Sequence, residues 1–153
     1  MNELEPSSLS TKWVSTSSGP SEQGAVVVHP DSNTVIDSFP SRPLNFVTIF
    51  GPARSGKSFV MNALARRNGV FGVSPAVVPC TSGVDLSKTV VSLEEFTGGT
   101  AKGKSEDMPY IGFVDVEGLG DEHPSHHVKL AIPPMLVSKV QVCNNSYGLA
   151  SAR

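Results

Sequence analysis

Residues 51–58 read GPARSGKS and match the phosphate-binding loop pattern G-x-x-x-x-G-K-[ST] at every position. An apolar run at 46–50 leads into this loop, and a stretch with helical spacing follows it at 59–67. In a strand, a glycine loop and a helix in that order, backbone N–H groups can surround a phosphate. Lys57 supplies a positive charge for the β- and γ-phosphates, and Ser58 supplies a hydroxyl for Mg²⁺. The loop therefore predicts nucleotide binding.

Charge and composition argue against several other classes of protein. The chain of 153 residues has 12 basic and 14 acidic residues, a balance that indicates neither a nucleic-acid surface nor a polybasic membrane patch. No apolar run approaches the ~20 residues needed to span a bilayer, so we predict no transmembrane segment. Peripheral membrane contact stays open. Two distant cysteines favour a reduced, cytoplasmic protein.

The pattern along the chain predicts one α/β domain after a tail. Residues 1–23 are rich in serine and polar residues, which predicts a disordered N-terminal tail, and 24–153 form the domain. Runs at 46–50 and 110–114 predict buried strands. A third core strand is predicted at 137–143, short of neighbours and exposing apolar surface. We expect a largely parallel sheet with helices on both faces, and an interruption of any helix at the prolines 133 and 134.

A second motif follows the strand at 110–114. Asp115 and Gly118 form the pattern D-x-x-G at the carboxyl end of that strand, about sixty residues after the loop. A carboxylate in this place can hold the Mg²⁺ shell through water, and Gly118 can offer its N–H to the γ-phosphate. The pattern is weak alone because Asp and Gly are common in turns. Its pairing with the phosphate-binding loop favours the functional interpretation.

Three motifs in order resemble guanylate-binding proteins and atlastins, which are large GTPases of the dynamin superfamily. The segment 50–62, FGPARSGKSFVMN, is similar to their phosphate-binding loop, and 115–121, DVEGLGD, is similar to their switch II. The segment 79–84, PCTSGV, resembles their switch I, with Thr81 lying 23 residues after Ser58 as in the family. The resemblance covers roughly residues 24–145 and implies the first half of a P-loop NTPase G domain.

The resemblance implies binding of GTP and Mg²⁺-dependent hydrolysis to GDP, with a homodimer that forms in the presence of nucleotide. Arg54 would stabilise charge that develops on the bridging and γ-oxygens, as an arginine supplied from the same chain can do. Thr81 would close over the γ-phosphate and bring its hydroxyl to Mg²⁺. The predicted catalytic residues are Arg54 and Thr81, the predicted nucleotide-binding residues are Gly51, Arg54, Ser55, Gly56, Lys57, Ser58, Thr81, Asp115 and Gly118, and the predicted Mg²⁺ ligands are Ser58, Thr81 and Asp115.

Departures from the family leave two other functions open. Position 85 is Asp where the family usually has an aromatic residue, and position 79 is Pro where a serine that orients water often lies. The guanine-reading motif of the family lies downstream of 137–143, and 144–153 match no family motif. One alternative is a truncated, catalytically inactive homologue that acts as an interaction fragment. The other is a P-loop ATPase or small-molecule kinase, against which Arg54 and the EGLGD segment argue.

Overall fold

The structure is a computed structural model that describes residues 9–17, 24–73, 83–103, 105–116, 118 and 124–144. One mixed sheet of seven strands has helices packed on it, which confirms the α/β class. The strands are β1 (Ser10–Thr16), β2 (Val26–Val28), β3 (Leu44–Phe50), β4 (Val84–Ser87), β5 (Val91–Ser92), β6 (Tyr110–Val116) and β7 (Ser138–Cys143). The helices are α1 (Pro30–Asp37), α2 (Lys57–Leu64), α3 (Leu93–Phe96) and α4 (Pro124–Val137), with a 3₁₀ turn at Ser105–Asp107.

Only three neighbouring strands at one end of the sheet, β6, β3 and β7, run parallel to one another. The strand order is β2-β1-β4-β6-β3-β7, with β5 also paired to β6. β3 runs parallel to β6 and to β7, whereas the four other pairings are antiparallel. The prediction of a largely parallel sheet is therefore wrong. Parallel strands require long crossovers, such as the one that α4 makes between β6 and β7, while β1 and β2 pair through a short antiparallel connection.

Strands β3 and β6 are buried along most of their length, as their apolar runs predicted. Val47, Thr48 and Ile49 of β3 are buried, and so is every residue of β6 after Tyr110. Side chains alternate between the two faces of the sheet, so each face has its own hydrophobic cluster. One cluster contains Val47, Ile49, Met61, Ala65, Val70, Phe71, Val91, Ile111 and Phe113, and the other contains Val14, Val84, Leu86, Val114, Val116 and Leu130. This burial fixes where the carboxyl ends of β3 and β6 lie.

Helix α2 is held against the first cluster by apolar and polar contacts. Met61 is fully buried and Ala65, just after the helix, is buried next to the sheet. Asn62 is also buried, and its side chain binds the backbone of Phe71 twice. Its Nδ2 donates to the carbonyl of Phe71 at 2.9 Å, and its Oδ1 accepts from the N–H of Phe71 at 2.8 Å. These contacts fix the orientation of the helix that begins at the phosphate-binding loop.

We expect Asn62→Ala to lower the free energy of unfolding by about 2 kcal/mol, since it leaves a buried N–H and a buried C=O of Phe71 without partners. Denaturant titration followed by circular dichroism measures the change. The matched control is Asn68→Ala, because Asn68 is exposed. Equal denaturation midpoints for the parent and Asn62→Ala would show that the paired bonds add nothing to stability.

Strand β1 corrects the prediction of disorder for one part of residues 1–23, namely Ser10–Thr16. Ser10–Thr16 pairs with both β2 and β4. Val14 has no exposed surface, and the ring of Trp13 lies 6.4 Å from that of Phe46 between centroids. The sequence of β1 is mostly polar, so composition hid the strand. Its order comes from backbone pairing with neighbours and from these two apolar side chains.

Helix α4 continues through Pro133 and Pro134, so the predicted interruption is wrong. Each proline lacks an N–H for the carbonyl four residues earlier, those of Lys129 and Leu130. Leu130 is 1% exposed in the second hydrophobic cluster, and this packing holds the helix on the sheet despite the missing donors. Within the described residues, no helix combines the length and apolar character needed to cross a bilayer.

Strand β7 lies at an edge of the sheet rather than in its core. It pairs with β3 alone among the described strands, and Val140 is 50% exposed. The expectation of a strand short of neighbours is thus confirmed, whereas its placement as a core strand is wrong. Beside it, the end of α4 exposes Leu136.

Candidate nucleotide-binding site

The phosphate-binding loop joins the carboxyl end of β3 to the start of α2. Gly56 is the N-cap residue of α2 and has a φ of 80°, a conformation that glycine adopts without strain. Gly51, at the start of the loop, has a neighbour where a side chain would begin: an added Cβ would lie 2.2 Å from the carbonyl oxygen of Asn144. Both glycines of the motif are therefore required by the backbone, one by its dihedral angle and one by a close approach.

The charged side chain of the loop is buried within it. Lys57 is only 6% exposed, and its Nζ donates to the carbonyl oxygen of Pro52 at 2.8 Å. An ammonium group at the start of a helix lies beside backbone N–H groups that also favour an anion. The loop thus concentrates positive potential at the amino end of α2.

The second motif meets the loop on one face of the sheet. Asp115 of β6 is fully buried and lies in register with Ile49 of β3, so the parallel strands bring it beside the loop. The hydroxyl of Ser58 donates to Oδ2 of Asp115 at 2.5 Å. The structure therefore joins the two residues that the sequence placed 57 positions apart.

Gly118 lies directly over the loop. A Cβ built on it would be 2.3 Å from the Cα of Ala53 and 2.8 Å from the Nζ of Lys57. The first distance is to backbone, which cannot move aside as a flexible side chain can. Only glycine fits here, so the end of the D-x-x-G motif contacts the loop that the sequence paired it with.

Two further loop residues have unusual surroundings. Arg54 adopts a φ of 60°, which is uncommon for a residue other than glycine, and its side chain is exposed. The Oγ of Ser55 is buried, and it has no hydrogen-bond partner among the described residues. A buried hydroxyl without a partner costs about 1–3 kcal/mol. A phosphate oxygen inside the loop would offset that cost.

The structure brings together most of the predicted site residues and leaves one outside its description. Thr81 lies outside the described residues, as do residues 117 and 119–121 of the switch II resemblance. The predicted residues that lie in or against the loop are Gly51, Arg54, Ser55, Gly56, Lys57, Ser58, Asp115 and Gly118.

Sequence reasoning missed two neighbours of the site. Asn144 contacts the loop from the end of β7, although no motif marked it. Asp85 was noted only as a departure from the family, but it lies opposite Asp115 in the pairing of β4 with β6. Its Oδ1 is 2.5 Å from Nζ of Lys12 in β1. Burial raises the pKa of the Asp85 carboxyl, while Lys12 and then His29 act in the opposite direction.

The oxygen donors at Ser58 and Asp115 fit a hard cation such as Mg²⁺. A hydroxyl and a carboxylate are ligands that Mg²⁺ prefers, and it usually takes one or two carboxylates together with phosphate oxygens and waters. In the part of the chain that the structure describes, no group of three or more His, Cys, Asp and Glu side chains could hold a metal ion.

Comparison with known proteins gives one match that agrees with this geometry. The sequence model described as "Guanylate-binding protein, N-terminal domain" matches residues 24–151, which is most of the chain. None of the curated proteins compared with the chain matches it. The matched range contains the loop, the D-x-x-G motif and every strand from β2 to β7. The chain therefore belongs to the guanylate-binding protein family, and its P-loop fold is the GTP-binding type of domain that this family carries.

Proposed function

We propose that this chain binds GTP together with Mg²⁺ and hydrolyses the nucleotide to GDP. The observation that carries the proposal is the contact between Ser58 and Asp115, at 2.5 Å, beside the buried ammonium of Lys57. It joins a phosphate-binding loop to the carboxylate that P-loop GTPases use near their metal. Membership in the guanylate-binding protein family supports GTP as the nucleotide.

Binding of the triphosphate uses groups that the loop already positions. Lys57 exchanges its bond to Pro52 for phosphate oxygens, and the Oγ of Ser55 gains a partner. Backbone N–H groups at the start of α2 complete the cradle. Because Gly118 lies against Ala53 and Lys57, its N–H is near enough to the loop to act at the terminal phosphate after a local shift.

Ser58 and Asp115 would hold Mg²⁺, Asp115 through water, with Thr81 as a further proposed ligand. When bound, Mg²⁺ neutralises negative charge on the phosphate oxygens and orients the triphosphate. The full burial of Asp115 favours this role, because a buried carboxylate is stabilised by a nearby cation. The hydroxyl of Ser58 already lies in contact with that carboxylate, so both oxygen donors are on the same side of the loop.

Hydrolysis is an in-line displacement at the γ-phosphorus. A bond forms from a water oxygen to phosphorus, the bond to the bridging oxygen breaks, and the water proton passes to phosphate or solvent. Arg54 stabilises the charge that develops on the bridging oxygen, and Thr81 closes over the γ-phosphate. The left-handed conformation of Arg54 supports this role, since glycine would adopt it at lower cost.

We propose a cytoplasmic setting, supported by two distant cysteines of which Cys143 is free. A homodimer that forms when nucleotide is bound, with peripheral membrane contact left open, completes the proposal. Neither property is needed for the chemistry at the loop.

The test is a titration of GTP, GDP and ATP with the purified chain, with and without Mg²⁺. We expect Mg²⁺ to strengthen GTP binding about tenfold or more, ~1.4 kcal/mol, and Ser58→Ala to remove that increment. Ser41→Ala is the control, because Ser41 is exposed and outside the loop. Equal affinities for GTP and ATP would contradict the choice of nucleotide. An unchanged Mg²⁺ increment in Ser58→Ala would contradict the proposed metal site.

A further inference from the structure

Asn144 follows β7 and contacts the phosphate-binding loop with both its backbone and its side chain. Its N–H donates to the carbonyl oxygen of Phe50 at 2.8 Å, which extends the pairing of β7 with β3 by one residue. Its Nδ2 donates to the carbonyl oxygen of Ser55 at 2.7 Å. The residue is half-buried, so this second bond is shielded from competing water.

The backbone of Asn144 also limits the start of the loop. An added Cβ on Gly51 would lie 2.2 Å from the carbonyl oxygen of Asn144. Asn144 thus contacts the loop at its first residue and again at its fifth. Two contacts on a loop of eight residues restrict the path of the residues between them, including Arg54 in its left-handed conformation.

The bond to Ser55 has a consequence for the next N–H group. The peptide between Ser55 and Gly56 is trans and planar, so its C=O and N–H point in opposite directions. Because Asn144 takes the carbonyl on one side of the loop, the N–H of Gly56 is turned to the other side. Phosphate-binding loops hold phosphates with such inward N–H groups.

We infer that Asn144 is a positioning residue for phosphate binding, acting by fixing the peptide plane between Ser55 and Gly56. The inference rests on the proposed function, because it requires a nucleotide phosphate in the loop. Asn144 touches no reacting atom and carries no charge. It makes the geometry of the loop depend on where β7 lies on the sheet edge.

The experiment compares GDP and GTP affinity for the parent chain, Asn144→Ala and Asn144→Asp, with Asn68→Ala as the control at an exposed asparagine. We expect Asn144→Ala to weaken both nucleotides about tenfold, because the peptide plane is then free to rotate. Asn144→Asp should weaken them further at pH 8, since a carboxylate facing the carbonyl of Ser55 repels it. Asn68→Ala should bind as the parent does.

A pH series separates positioning from a general loss of structure. Protonation of the carboxyl introduced by Asn144→Asp restores an O–H donor to Ser55, so the ratio of variant to parent affinity should rise as the pH falls from 8 to about 4.5, toward the ordinary pKa of an aspartic acid. The ratio cancels titration of the nucleotide and of the charged groups in the loop. If the parent binds and both variants bind as tightly as the parent does, the inference is overturned. A ratio of variant to parent affinity that does not change with pH would also overturn it. A parent that binds neither nucleotide would overturn the proposed function and this inference with it.

Discussion

Replacing Lys57 with alanine is expected to remove most of the affinity for GTP. The ammonium is buried in the loop, 2.8 Å from the carbonyl of Pro52, and residues 51–58 contain no other lysine. Truncating one partner of a buried, charge-assisted pair costs about 2–4 kcal/mol, or roughly 30- to 1000-fold in affinity. Titration of a fluorescent GTP analogue measures the loss.

Two controls make the Lys57 result interpretable. Lys88→Ala removes the same charge from an exposed position and should leave affinity unchanged. Thermal unfolding without nucleotide should show that Lys57→Ala remains folded, because the hydrogen bond to the carbonyl of Pro52 lies within the loop and not in either hydrophobic cluster. If Lys57→Ala and the parent bind the analogue equally, the loop does not bind the phosphates.

Removal of the Arg54 side chain is expected to lower hydrolysis far more than binding. An arginine that stabilises the transition state of phosphoryl transfer contributes on the order of 10³–10⁵ in rate. We therefore expect the GTP affinity of Arg54→Ala to lie within a few-fold of the parent's affinity. The rate of phosphate release under saturating GTP should fall by on the order of 10³–10⁵. Arg67→Ala is the matched control, because Arg67 is exposed beyond the end of α2.

A glycine substitution at the same position separates stability from catalysis. Arg54 has a φ of 60°, so Arg54→Gly relieves a strained backbone conformation that costs about 1 kcal/mol or more. Arg54→Gly should be at least as stable as Arg54→Ala and should be equally inactive. Turnover at the parent rate in either variant would show that the side chain has no part in the reaction.

The sequence by itself determined the local parts of the site. A strand, a glycine-rich loop and a helix are adjacent in the chain, so the motif fixed the burial of β3, the start of α2 and the positions of Lys57 and Ser58. The same holds for Asp115, since the apolar run of β6 ends at the D-x-x-G motif. These features depend on neighbours within a few residues, and short-range chemistry is what a sequence pattern records.

The predictions for β1 and for α4 were wrong because the structure of both segments depends on residues that are distant in the chain. Strand β1 lies in a serine-rich region, yet it is held between β2 and β4 through backbone bonds that any side chain permits. Helix α4 tolerates Pro133 and Pro134 because Leu130 is packed in the core. Composition and local propensity carry no information on such pairings.

Contacts between remote residues were decided by the tertiary structure alone. Asp85 meets Lys12 because β4 pairs with β1, and it lies opposite Asp115 because β4 also pairs with β6. Asn144 and Ser55 are 89 residues apart in the chain, and they meet because β7 lies parallel to β3. The order of the strands sets these neighbours, and that order follows from the packing of the whole sheet. The sequence thus predicts which groups bind phosphate, and the tertiary structure of the sheet decides which residues hold the loop in place.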